Sequence, residues 1–200
     1  MAERGRPRGF DRDAALQRAM EVFWERGYEG TSLSDLTTAM GINAPSLYGA
    51  FGGKEALFRE AVERYRHTDG GMTDAALREG KTARAAVEGM LLAAAMALTL
   101  PGKPKGCFMV LGATNCTPAN QGMAAFLRSH RLASTRHVRE RLEQGVADGE
   151  LPPEVDLDTL ARYFTTVVQG MSLQARDGAK RAELERVASA AMAIWPEPGR

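Results

Sequence analysis

The chain has 200 residues, enough for one or two compact domains with a sizeable core. It is 44% hydrophobic and 26% charged, the balance of an ordinary globular protein, which excludes disorder throughout. Lys and Arg number 26 against 25 Asp and Glu, a net charge of +1, so any contact with nucleic acid has to come from the local placement of charge. Thirty-two alanines and few β-branched residues favour helices from end to end. Two cysteines, Cys107 and Cys116, can make neither a disulfide framework nor a four-thiolate zinc site. The opening stretch MAERGRPRGFDRD has no apolar signal core, and the longest apolar run, Met90 to Leu100, is too short for a bilayer. The expectation is a soluble, cytoplasmic, all-α protein of about nine helices with no membrane partner.

Residues 1–9 set Arg4, Arg6 and Arg8 between Gly5, Pro7 and Gly9 and read as a flexible basic arm. From Asp11, Leu16, Ala19, Met20 and Phe23 mark one face of an amphipathic helix that ends at Gly27. Thr31 or Ser32 then caps a short helix with Leu33, Leu36 and Met40 on its apolar face, and Asp35 completes a partial capping box. Gly41 closes it. Asn43 caps the next helix, with Pro45 in the first turn where its missing N–H costs nothing, and Gly52-Gly53 ends it after Leu47 and Phe51. A fourth helix starts near Lys54 and runs through Tyr65. The polar, glycine-containing stretch 67–81 reads as the main boundary, giving an arm (1–9), a first domain (10–66) and a second (67–200). In the second part helices are expected over about 82–100, 120–148, 156–176 and 180–195, with Asp156 or Asp158 capping the third of them. Gly106 to Gly112 reads as a short helix, because a lone strand has nothing to pair with.

The helix before Gly41-Ile42-Asn43-Ala44, that turn and the helix after it form a helix–turn–helix candidate. Ile42 stands at the elbow, and Leu36 and Leu47 are interior anchors. The flanking set Gly27-Tyr28, Gly30-Thr31-Ser32-Leu33, Leu47-Tyr48, Phe51 and Lys54-Glu55-Ala56-Leu57-Phe58 resembles the TetR family of bacterial repressors. Gly106-Cys107, Gly149-Glu150-Leu151 and Gln169-Gly170-Met171 extend the resemblance over nearly the whole chain. It implies an N-terminal three-helix DNA-binding domain followed by a helical ligand-binding and dimerisation domain. By position it implies phosphate contacts from Thr31, Tyr48 and Lys54, whose hydroxyl, phenol and ammonium groups suit that task. It makes Ala44, Pro45, Ser46 and Gly49 the base-facing positions. Of these four, Ser46 alone carries a hydrogen-bonding side chain, so specificity has to draw on thymine methyls, DNA shape and the arm. Arg4-Gly5-Arg6-Pro7 resembles the core of an AT-hook, suited to a narrow minor groove. Residues 1–66 are not net basic, so a DNA-binding face requires Glu21, Glu25, Glu29, Glu60 and Glu63 to point elsewhere.

The same resemblance places the last two helices in a two-fold dimer interface, through Leu160, Val167, Val168, Gly170, Leu184, Val187 and Ala191. The fifth to eighth helices would enclose an effector cavity lined by Met90, Met96, Cys107, Phe108, Met109, Phe126, Phe164 and Met171, a soft apolar surface. Cys107 becomes an oxidant or electrophile sensor only if a cation such as Lys103 or Lys105 lowers its pKa. His130 and His137, seven apart, read as solvated side chains rather than metal ligands. With no glycine-rich phosphate loop, nucleophile elbow or metal-spaced cluster, neither an enzyme, a cofactor nor a metal site is expected. The reading is a homodimeric repressor released from a palindromic DNA operator by a small-molecule effector. A transcriptional activator of the same fold and an A·T-binding architectural protein are the alternatives.

Overall fold

The computed structural model describes residues 9–196, and every regular element among them is helical. The first four helices are α1 (Arg12–Arg26), α2 (Leu33–Met40), α3 (Ala44–Phe51) and α4 (Lys54–His67). Each start has a physical cause. Asp11 accepts the Asp13 and Ala14 amides at the head of α1. Ser32, not Thr31, caps α2 in a full capping box with Asp35. Asn43 accepts the Ser46 amide 2.9 Å away at the head of α3. Between α2 and α3, Gly41 sits at φ +67, a left-handed conformation that costs a residue without Cβ little, and the Ile42 amide donates back to Thr37.

The second part consists of α5 (Met72–Glu79), α6 (Ala83–Ala97), α7 (Phe108–Leu111), α8 (Gln121–Ala147), α9 (Leu157–Arg176) and α10 (Arg181–Ala191), with 3-10 turns at Pro118–Asn120 and Met192–Ile194. Helix α5 lies inside the stretch read as a linker. Its N-cap is Gly71, which has no side chain to cap with, so no start signal marks it, and Leu77 is the one residue it buries fully. The run after Gly106 is a single helical turn, and Asp156 rather than Asp158 caps α9.

One hydrophobic cluster joins α1–α4 to Phe108 of α7 and to Met123 and Leu127 of α8, so the boundary drawn near residue 67 is crossed by continuous core. Its centre is aromatic. Phe23 meets Phe58 edge-on at 5.1 Å, Trp24 meets Tyr65 at 4.8 Å, and Phe108 packs on both Phe58 and Tyr65. Each such pair adds about 0.5–1.5 kcal/mol beyond area burial. A second cluster gathers Leu91, Leu142, Phe164 and Trp195 among α6, α8, α9 and the C-terminal turn. A third, with Leu98, Met171 and Leu184, closes the far end of α6. Among the described residues no helix is long and apolar enough to cross a membrane.

Candidate DNA-reading face and effector cavity

Helix α3 buries Leu47 and Phe51 and turns Ala44, Pro45, Tyr48 and Gly49 to solvent. Tyr48 is 52% exposed, and its ring edge lies where a Cβ on Gly53 would stand 3.4 Å away. Ser46 is half-buried, its amide already given to Asn43. Lys54, in the first turn of α4, holds its ammonium 4.2 Å above the Tyr28 ring. Burial lowers its pKa, against the opposing pull of Glu29 and Asp35. Thr31 departs from its expected role. It is 1% exposed and its hydroxyl donates to the Gly27 carbonyl at 2.7 Å, so the side chain completes the α1–α2 corner and has no face left for a phosphate. Arg4, Arg6 and Arg8 lie outside the described residues.

Four of the five glutamates required to point elsewhere are occupied. Glu21 accepts from Lys103, Glu29 from Thr117 and Asn120, Glu60 from Arg12, and Glu63 from Arg66. The first two pairs reach into the second half of the chain, and Glu29 also lies near enough to Lys54 to act on its charge. Hydrogen bonds from Asn120 and Thr117 keep the Glu29 carboxyl below the usual range.

A cavity of about 80 Å³ opens among α4, α5, α6, α7, α8 and α9. Its walls are largely apolar, from Met90, Ala94, Leu98, Met109 and Val138, with Tyr65, Arg131, Ser134, Thr165 and Gln169 as polar groups. Met90, Cys107 and Met109 are among the residues that line it. Phe108, Phe126, Phe164 and Met171 do not. Phe108 and Phe164 are fully buried between helices, Met171 fills the third cluster, and Phe126 packs against the first cluster beneath the Arg59 guanidinium. Met96 is likewise absent from the lining. Helical spacing identifies an apolar face; it does not say whether that face meets a neighbour or a void. Val168, expected in the dimer contact, lines the cavity instead.

Burial pushes the Cys107 thiol up, outweighing hydrogen bonding from Tyr65 and the nearby Arg131. The lysines expected to lower it are engaged elsewhere, Lys103 with Glu21 and Asp69, and Lys105 with the carbonyls of Thr99 and Leu100. His137 is exposed and His130 faces Glu63 at 3.5 Å; no group of three metal-ligating side chains occurs among the described residues.

What the sequence did not reveal is how the cavity is joined to the first four helices. Helix α7 supplies one wall, and the backbone on either side of it is bonded to α1 and to the turn that follows α1. The Trp24 indole N–H donates to the Gly106 carbonyl at 2.9 Å, fully buried, and the Tyr28 amide donates to the Gly112 carbonyl at 2.7 Å. Gly27, at φ +72, permits this approach, since a Cβ there would stand 3.2 Å from the Gly112 oxygen. From α9, the Arg176 guanidinium donates to the carbonyls of Lys105, Glu25 and Trp24 at 3.0, 2.7 and 2.9 Å. A cation thus caps the C-terminal, negative end of α1.

On the outer face of α9 and α10, Gly170 and Val187 are exposed and Val167 is half-buried. Leu160, Leu184 and Ala191 are buried within the single chain and serve its own core. Leu173 and Ile194, 54% and 48% exposed, stand on that surface as well.

An all-helical chain with a helix–turn–helix near one end and a helical cavity domain at the other defines a class of ligand-controlled DNA-binding regulators. Residues 15–61 match the family model for bacterial regulatory proteins, tetR family, and residues 84–191 match the tetracyclin repressor-like C-terminal domain. The HTH-type transcriptional repressor ComR of Escherichia coli is 40% identical over 195 residues, which is 97% of this chain and 93% of that protein. The HTH-type transcriptional repressor BdcR of the same organism is 28% identical over 192 residues, 94% of this chain and 90% of its own. A cysteine-substituted form of the TetR family transcriptional regulator CifR, solved in complex with 26-base-pair operator DNA, superposes with a TM-score of 0.92 at 45% identity, covering 96% of this chain and all of that one. The chain belongs to the TetR family and is a DNA-binding transcriptional regulator.

Proposed function

We propose that the protein is a homodimeric repressor that acts in the cytoplasm, holds a palindromic operator through α3, and leaves it when a small effector occupies the cavity. The observation that carries this reading is the bonding of the cavity wall to α1 at Gly106 and Gly112, which couples anything that displaces α7 to the helix beneath the DNA-reading face. Residues 10–66 form the DNA-binding part and 67–200 the effector and dimerisation part, with no catalytic, cofactor or metal role. Tyr48 and Lys54 hold phosphates, and Ala44, Pro45, Ser46 and Gly49 face the bases. The arm with Arg4, Arg6 and Arg8 adds minor-groove contact. The exposed apolar surface of Leu173, Val187 and Ile194 around Gly170 supports a two-fold contact that sets two copies of α3 one DNA turn apart.

The test is sedimentation of the full chain, free and with its own upstream DNA, at two salt concentrations. A dimer that binds one discrete site, more weakly at higher salt, and roughly tenfold more weakly in Tyr48→Ala or Lys54→Ala, supports the reading. A monomer, or binding indifferent to those substitutions, overturns it.

A further inference from the structure

The cavity carries a chemical preference of its own. Its apolar walls enclose one permanent cation, the guanidinium of Arg131. Arg131 is half-buried and spends Nη1 on the Met109 carbonyl at 2.8 Å; among the described residues no carboxylate lies within ion-pair distance of it. The other acidic groups at hand do not neutralise it. Burial raises the pKa of Cys107 and raises that of Tyr65 well above the ordinary phenol range, so both stay protonated. Asp74 also lines two surface grooves beside the cavity, which sets it at the rim rather than the floor. An unneutralised guanidinium facing an apolar void is costly unless something supplies the anion.

We infer that the effector is a short-chain organic monocarboxylate, its carboxylate received by Arg131 and its apolar body packed against Met90, Leu98 and Met109. The inference rests on the effector reading above and names the chemistry of the ligand. Gln169, also in the lining, carries amide N–H donors for the remaining lone pairs of the carboxylate, whereas the Ser134 hydroxyl is given to the His130 carbonyl at 3.3 Å. A volume of about 80 Å³ has room for a compact apolar body of butyrate size. The carboxylate of Asp74 at the rim repels a second negative charge, so dicarboxylates are excluded.

The experiment is calorimetric titration of the full chain, without DNA, with butyrate, butyramide and succinate at pH 7. Butyrate should bind at least about tenfold more tightly than its neutral isostere, the difference one charge-assisted pair supplies. Succinate should not compete. Arg131→Gln should bring butyrate and butyramide within about twofold of each other, and Arg131→Lys, which keeps the charge, should retain the preference for the acid. Thermal shift on the same two variants keeps the result readable should Arg131→Gln lower the yield of folded protein. Equal binding of butyrate and butyramide, no binding of butyrate, or an acid preference that survives in Arg131→Gln each overturn the inference. Upstream-DNA binding by the unliganded protein is scored separately. DNA binding with no response to butyrate sinks the ligand assignment alone, whereas butyrate binding by a protein that ignores DNA sinks the repressor reading alone.

Discussion

Replacing Arg176 by Met keeps the aliphatic stem and removes the guanidinium that ties α9 to the end of α1. Three donated hydrogen bonds disappear, to Lys105, Glu25 and Trp24. Bonds from a charged donor contribute about 1.5–3 kcal/mol each when shielded, but the bond to Glu25 is exposed and the side chain is only half-buried. Counting the two sheltered bonds at about 1 kcal/mol each gives a loss of roughly 2 kcal/mol. For a chain of this size about 1 kcal/mol moves Tm by roughly 2–4 °C, so the midpoint should fall by about 4–8 °C. The assay is a thermal melt followed by circular dichroism, at fixed protomer concentration because a dimer's midpoint depends on it. Arg176→Lys keeps the charge without the planar fork and should recover only part of the loss. A midpoint for Arg176→Met within about 1 °C of the unsubstituted protein would refute the view that this clamp holds the two halves together.

Gly49 is exposed in the interior of α3 with nothing within 4 Å of a built Cβ, so Gly49→Ala should stabilise the chain by about 1 kcal/mol while weakening DNA binding; unchanged affinity in a gel-shift titration would remove Gly49 from the contact surface. His130 has a buried ring nitrogen without a hydrogen-bond partner, and burial first, then Arg66, lowers its pKa from 6.5, against the pull of Glu63. The unfolded chain therefore takes up its proton first on acidification. The associated stability is whole above pH 6.5 and is lost as pH falls through the lower folded value. Urea denaturation at pH 7 and pH 5 should show a drop that His130→Gln reduces, and an equal drop in that variant would count against the assignment.

Much of the first four helices was legible because their boundaries are set by short-range chemistry. Ser32 with Asp35, Gly41 and Asn43 each act within four residues of themselves, and Leu36 and Leu47 can be read as anchors from spacing alone. Helix α5 was not legible. It begins at a glycine, lacks a capping side chain, and forms because α6 lies alongside it. The cavity was half legible for a different reason. Met90, Cys107 and Met109 were expected there, yet Phe108 and Phe164 found partners across helix interfaces. Arg131 and Gln169 read as ordinary charged and polar helix positions until α4 and α6 close over them. Thr31 shows the limit of position-by-position transfer: the side chain is buried and its hydroxyl is given to the Gly27 carbonyl.

On the α7 side, the bonds that join this segment to α1 and α9 use main-chain atoms: the oxygens of Lys105, Gly106 and Gly112, and the Cys107 amide, which donates to the Ser172 hydroxyl at 2.8 Å. Side chains between them, Met109 and Val110 among them, face the cavity and make none of these attachments. Ligand preference and signal transmission thus reside in different atoms of one short segment. Met109→Leu or Val110→Ala can reshape what the cavity accepts while the path to the DNA-reading helix stays bonded as before. A designer seeking a sensor for another small molecule would start with these two positions and leave Trp24, Gly27 and Arg176 untouched.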